Sequence, residues 1–266
     1  MRHLSWRHGP LRVLVAALAL AGLALVVAAC GGGGGGNTST TAGKPAQGKQ
    51  GGTLTLVSSA DVDNALDPGY SYYQFDFILD NALHRTLFTY KPTDTAHPSP
   101  DLADGNAQIS DGGKTVTVKI KKGVKFSPPV NREVTSADVK YAMERDFNPA
   151  VGNGYSGAYW GDIIGSKAYA DGKANSISGI ETPDPQTLVI HLSRSTAAIV
   201  IGAMALPGTA PVPKEYASKF DSRKRTTYGQ HLVTTGPYMV QNNSSGKITG
   251  YQPGHKITLV RNPNWD

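Results

Sequence analysis

Residues 13–29 form an unbroken run of apolar and small side chains, preceded by Arg2, Arg7 and Arg12 and followed by the only cysteine, Cys30, and six glycines. These are the three parts of an export signal: a basic head, an apolar stretch and a small-residue exit. The foldable chain is thereby limited to the residues beyond the cysteine. At 17 residues the run sits at the lower limit for crossing a bilayer as a helix, so a single membrane anchor is the competing reading. Residues 30–52 are dominated by Gly, Asn, Thr, Ser, Ala, Lys and Gln and hold too few apolar side chains to bury anything. They read as a flexible tether with an end-to-end distance on the order of 25 Å. Without the three leading arginines, 23 basic residues face 20 acidic ones, and no basic stripe marks a nucleic-acid footprint. A single cysteine permits neither an internal disulfide nor a cysteine-rich zinc site.

From Gly52 the texture changes to short strands and modest amphipathic helices. Leu54-Thr55-Leu56-Val57 predicts a buried strand, followed by a polar loop to Pro68. Phe75, Ile78, Leu79, Ala82, Leu83 and Leu87 recur at three and four residues, which predicts a helix with one face in a core. Asp111-Gly112-Gly113 predicts a turn into a strand where Val116, Val118 and Ile120 alternate with Thr and Lys. Thr135-Ser136-Ala137-Asp138 reads as a capping box, with Val139, Met143 and Phe147 one helical turn apart behind it and the helix ending before Pro149. Pro183-Asp184-Pro185-Gln186 predicts a tight turn between residues 177–180 and a strand over 187–192. A helix over 196–205 is stopped by Pro207-Gly208, and residues 238–240 and 257–261 read as further strands. The class is mixed α/β without equal repeating βα units, which argues against a barrel or a simple doubly wound sheet.

Several of these segments, taken in order, carry a resemblance. The most specific run is Ser110-Asp111-Gly112-Gly113 through Val124-Lys125-Phe126, followed by Val134-Thr135-Ser136-Ala137-Asp138-Val139 and Met143-Glu144-Arg145. Pro100-Asp101-Leu102-Ala103, Gly179-Ile180-Glu181, Thr235-Gly236-Pro237-Tyr238 and Arg261-Asn262-Pro263-Asn264-Trp265 support it. Together they resemble the extracellular solute-binding proteins of peptide-type ABC transporters, which include oligopeptide-, dipeptide- and nickel-binding receptors (solute-binding protein family 5). Residues 127–132 form a variant of a loop that more commonly carries His-Asp-Gly. Val27-Ala28-Ala29-Cys30 in turn resembles the lipobox of bacterial lipoproteins. It implies removal of residues 1–29 and a diacylglyceryl group on Cys30, each buried CH₂ of which contributes ~0.8 kcal/mol.

The resemblance implies an α/β, periplasmic-binding-protein-like fold of type II, peptide-binding subgroup, with residues 53–266 as the first lobe and the second lobe missing from this chain. It further implies a monomeric, lipid-anchored receptor on the outer face of the bacterial cytoplasmic membrane. Such a receptor captures peptides or a similar small polar solute and hands them to permease subunits, with no catalytic residue, cofactor, metal or nucleic acid involved. An isolated lobe is expected to bind solute weakly or not at all. Ser59, Ala60 and Asp61 resemble a family segment whose backbone lies along the cleft, where extended peptides bind through main-chain hydrogen bonds; a plain solvent loop is the alternative. Tyr70, Tyr72 and Tyr73 are candidates to line the cleft, since aromatic rings give large contact area, with core packing at the helix start as the other reading. Leu206-Pro207-Gly208 matches a family loop near the cleft wall, against a simple helix stop. Arg145 reads as a structural cation at a helix C-terminus, the resemblance implying a place near ligand as the alternative.

Other motifs carry less. Residues 152–157 fit G-x-G-x-x-G, but no apolar strand leads into them and Asn148-Pro149 suggests a loop, which argues against a dinucleotide site. No phosphate-loop motif occurs, and the histidines are scattered without metal-ligand spacing. Two alternatives stay open. One is a surface hydrolase with a serine beside His191 or His255, the other a half-receptor acting as an interaction protein with an exposed apolar patch.

Overall fold

A computed structural model describes residues 51–62 and 66–265. The expected signal, Cys30 and all but the end of the tether lie outside the described residues. Residues 51–56 carry no helix or strand, and residues 57–265 form a separate compact unit.

Helix α1 (Gln74–Leu83) starts where the amides of Tyr72 and Tyr73 donate to Asp76 Oδ2, at 3.3 and 3.1 Å, using up helix-start donors that lack intrahelical partners. It is followed by the hairpin of β1 (Phe88–Lys91) and β2 (Asp94–Pro100). The central sheet is antiparallel, in the order β3 (Gln108–Ser110), β4 (Thr115–Lys119), β6 (Thr187–His191), β5 (Ile180–Asp184). Val116 pairs with Ile190 and Val118 with Leu188. All four are buried, because alternation puts them on one face.

That face is covered by α2 (Ser136–Asp146). The predicted capping box is present: the Thr135 amide and hydroxyl both donate to Asp138 Oδ2, at 2.8 and 2.9 Å, and Val139 and Met143 point into the core. Two side chains fasten the helix to the sheet, Ser136 Oγ donating to the Asp184 carbonyl and Lys140 Nζ to that of Ile180, both at 2.7 Å. Short helices α3 (Ser156–Tyr159), α4 (Ser166–Ala170), α5 (Ala197–Ala203) and α6 (Lys214–Ala217) complete the shell. Strand β7 (Tyr238–Val240) pairs with β10 (Leu259–Arg261), and β8 (Tyr251–Gln252) with β9 (Lys256–Ile257).

Four expectations change, the first being that residues 257–261, read as one strand, divide between β9 and β10, which pair with different strands. Residues 54–57 form no strand, and Leu54 and Val57 are 83% and 95% exposed; no strand among the described residues pairs with them, and an apolar run alone does not make a stable strand. The helix predicted to include Leu87 ends at Leu83. The Leu83 carbonyl, which a longer helix would give to Leu87, instead accepts from the Gly236 and Thr235 amides, at 2.8 and 3.2 Å. Strand β5 runs through Pro183, a residue expected in the turn. It is the sheet edge, with a register shift between Glu181 and Asp184, where a missing N–H is tolerated.

Candidate ligand-binding site

Tyr72 stacks on Tyr155, with ring centroids 5.1 Å apart and planes at 21°. Tyr73 meets Tyr72 edge-on at 5.5 Å, and Phe77 and Tyr159 flank Tyr155. Tyr72 and Tyr73 remain 51% and 56% exposed, so the rings form an open aromatic wall. The glycine-rich loop explains how it is built. The Tyr72 ring lies 2.7 Å from where a Cβ on Gly154 would stand, so any larger residue there displaces the ring. Asn153 sets the loop: its Oδ1 accepts from the amides of Tyr155 and Ser156, both at 2.8 Å. Its Nδ2 donates to the Gly69 carbonyl at 2.7 Å and to Asp146 Oδ1 at 3.0 Å. The G-x-G-x-x-G match is thus an aromatic platform.

Beneath the wall lies an ionic floor. Arg145 grips Asp67 with both terminal nitrogens, at 3.0 and 2.6 Å, and Asp221 through Nε at 2.7 Å. Its guanidinium also sits 4.7 Å from the centre of the Tyr228 ring. Burial alone would weaken its hold on the proton, but the two carboxylates more than offset this and raise its pKa well above the ordinary value. The structural role read from the sequence holds, though the cause is this network. Tyr70 is half-buried, its ring against Gly152, and its amide donates to the Asp67 carbonyl at 2.9 Å.

Leu206 is half-buried, and Pro207 and Gly208 are buried in a 3₁₀ turn, Pro207–Thr209. Gly208 packs directly on the Asp146 carboxylate. Asp146 Oδ2 has no partner among the described residues, and burial pushes its carboxyl well up, with the Asp67 charge adding and Arg145 opposing. A second buried pair lies nearby. Asp80 Oδ2 and both ring nitrogens of His84 lack partners among the described residues, and the two side chains approach only to 4.0 Å. Burial, with help from Asp76 and Asp67 and against a hydrogen bond from Ser71, raises Asp80 to about 7. Burial lowers His84 to about 4, the Asp67 charge opposing. Asp80, Asp76, Asp67 and Tyr70 line a cavity of about 10 Å³, room for about one water.

Ser59 and Ala60 are exposed, and Ser58 Oγ accepts from the Ala60 amide at 3.0 Å. Asp61 is a latch: its Oδ2 accepts from the Tyr251 hydroxyl at 3.2 Å and from the Gly254 amide, fixing the loop to the β8–β9 hairpin.

The structure therefore links Tyr70, Tyr72 and Gly208 through Asn153 and Asp146. Of Ser59–Asp61, Asp61 alone is tied to another element among the described residues, through Gly254 and Tyr251, whose hydroxyl proton is held more tightly by burial and by the charges of Asp61 and Asp76. Sequence reading missed Asn153, Tyr155, Tyr159, Asp146 and the Asp80–His84 pair. The signal for the first three was the glycine spacing at 152–154. Among the described residues, His191 meets Glu181 and Thr115, each at 3.4 Å, and neither it nor His255 meets a serine hydroxyl. No three His, Cys, Asp or Glu among the described residues converge to hold a metal, and no described helix is long and apolar enough to cross a membrane.

Residues 97–266 match the family model described as bacterial extracellular solute-binding proteins, family 5 (middle). The oligopeptide-binding protein OppA of Lactococcus lactis subsp. lactis (strain IL1403) is 29% identical over 160 residues, covering 56% of this chain and 25% of that protein. Its counterpart in subsp. cremoris (strain SK11) is 30% identical over 152 residues, covering 53% and 24%. The chain thus matches about a quarter of the length of these relatives. Among solved structures, the clavulanic acid biosynthesis oligopeptide binding protein 2 superposes with a TM-score of 0.67 at 33% identity, covering 81% of this chain and 37% of that one. Listeria monocytogenes OppA bound to peptide, at 22% identity and a TM-score of 0.60 over 76% of this chain and 37% of that one, shares the fold. The α/β architecture is thus that of part of a periplasmic-binding-protein-like receptor, and the chain belongs to the bacterial extracellular solute-binding proteins of family 5.

Proposed function

We propose that this chain supplies the first lobe of a substrate-binding component of an ABC importer that captures peptides and delivers them to a membrane permease without chemical turnover. The observation that carries the reading is the family match over residues 97–266. Residues 1–29 act as the signal, Cys30 as the lipidated residue, residues 30–52 as the tether and residues 53–266 as the lobe. The Tyr72–Tyr155 wall offers apolar, stackable area, and the open Ser59–Ala60 backbone offers main-chain hydrogen bonds, the two elements of recognition that tolerates many side chains. Ligand-dependent closure of such a lobe on another conveys occupancy, because only the ligand biases the two states.

Cells lacking this chain are expected to lose uptake of short peptides. Wild type should restore it, and Tyr72→Ala together with Tyr155→Ala should restore it poorly. Uptake unchanged by deletion overturns peptide capture. The anchor is read from the intact mass of native protein in the membrane fraction, where a diacylglyceryl increment on Cys30 is expected. A chain that keeps residues 1–29, or bears an unmodified Cys30, removes it.

A further inference from the structure

Charge is unevenly placed along the folded chain. Between residues 214 and 261 eight Lys and Arg stand against two carboxylates, Glu215 and Asp221, whereas residues 57–213 hold 13 basic and 17 acidic side chains. Both carboxylates are engaged, Glu215 by Arg132 and Asp221 by Arg145, each at 2.7 Å.

The fold gathers six of these cations on one surface. Lys214 Nζ lies 5.7 Å from the centre of the Tyr141 ring, whose hydroxyl donates to Asp221 at 2.9 Å. Asp221 and Thr226 bridge across a turn that holds Arg223, Lys224 and Arg225 in solvent. Arg223 donates to the Tyr169 and Ala170 carbonyls at the end of α4. Lys219 Nζ sits over the rings of Tyr216 and Phe220, at 4.7 and 4.8 Å, and Phe220 stacks on His231 at 3.9 Å. Lys247 is close enough to His231 to oppose its protonation together with Lys219, after burial. Among the described residues, Lys224, Arg225 and Lys247 have no carboxylate partner.

We propose that this surface, centred on Lys219, Arg225 and Lys247, docks the lobe on the anionic phospholipid headgroups of the membrane to which its tether leads. Exposed cations so poorly countered suit a surface dense in negative charge, where each Lys or Arg adds to binding without shape matching. Lipid is favoured over an acidic protein because a tether of about 25 Å keeps the lobe beside a bilayer, and a lipid anchor with a polybasic patch combines two membrane signals. To that extent the inference rests on the anchored reading above. Docking fixes which side of the lobe faces the membrane.

The test uses the full chain with vesicles of phosphatidylglycerol and phosphatidylcholine against phosphatidylcholine alone. Partition onto phosphatidylcholine reports the apolar N-terminal run, and the excess on phosphatidylglycerol reports the patch. The excess is expected to fall on the order of 100-fold in Lys224→Gln/Arg225→Gln/Lys247→Gln, at about five-fold per side chain, and to vanish in about 0.5 M salt. Partition onto phosphatidylcholine should stay unchanged, and an unchanged circular dichroism melt certifies the fold of the variant. Equal binding to both vesicles, an excess that survives the triple variant, or retention on a polyglutamate matrix without any vesicle preference overturns the proposal. Peptide uptake is scored separately. No vesicle preference in the wild-type chain, with uptake intact, retires docking alone, and absent uptake with the preference intact retires peptide capture alone.

Discussion

Arg145 and His84 are both ionisable and both buried, yet their surroundings differ. Arg145 makes four hydrogen bonds to the carboxylates of Asp67 and Asp221 and is 2% exposed. Among the described residues His84 makes none through its ring, and its neighbour Asp80 keeps an unpartnered oxygen. A buried charge that is fully paired holds its elements in one arrangement, and removing one partner strands the others. A buried pair left unpaired escapes the cost by staying neutral. The first cluster therefore fixes geometry through paired charges, whereas the second holds two groups neutral whose opposite pH dependences offset each other.

Arg145→Met should break the first cluster most severely. It leaves Asp67 and Asp221 buried without a counter-charge and should cost about 3–5 kcal/mol, read as a lower denaturant midpoint. A loss below about 1 kcal/mol would show that the cluster relaxes and takes up water.

The second cluster is exposed by pH. Asp80, raised from 3.8 to about 7, contributes stability that is present below pH 4 and lost as pH rises to 7. His84, lowered from 6.5 to about 4, contributes stability that is present above pH 6.5 and lost as pH falls to 4. The two slopes oppose each other, so the pair adds little net pH dependence in that window. Removing one member should uncover the other, by roughly 3–4 kcal/mol in all. His84→Leu should lose stability from pH 4 to 7, and Asp80→Asn from pH 6.5 down to 4. Melting profiles with the same pH slope in both variants would refute this assignment.

Asp146 lies between the two cases, with one oxygen held by Asn153 and the other without a partner among the described residues. Gly208→Ala pushes a methyl into that carboxylate and should cost about 1–3 kcal/mol. Asp146→Ala in the same chain should recover part of it; strictly additive losses would place the strain elsewhere. The smallest effect is expected on the surface. Arg194–Asp162 has comparable geometry at 2.8 Å, but Arg194 is 74% exposed. Arg194→Ala should change stability by about 0–1 kcal/mol, and a larger loss would mean that burial is not what separates the pairs.

Local signals were legible where one segment suffices. The Thr135–Asp138 box, the turn at Asp111–Gly113 and the β4 alternation need only near neighbours in the chain, and the structure reproduces them. Of the candidate site, Tyr70 and Tyr72 were legible as aromatic residues beside a helix start, but Tyr155 was not, because its partner lies 83 residues away. Arg145 was placed correctly on its helix for the wrong reason, since the carboxylates that hold it lie 78 and 76 residues distant. The basic surface was invisible as a stripe, because Lys219, Arg225 and Lys247 are spread along the chain.

By itself the sequence determined the mixed α/β class, the family resemblance, and a cysteine and glycine-rich segment placed ahead of the folding part. Those rest on composition, periodicity and motif order, which act over a few residues at a time. Only the tertiary structure decided that Asp61 latches a hairpin, that glycines 152 and 154 seat tyrosines, and that Asp80 and His84 lie buried together. Such facts depend on which distant groups share a small volume from which water is excluded, and exclusion of water sets the strength of charges, hydrogen bonds and ring contacts alike.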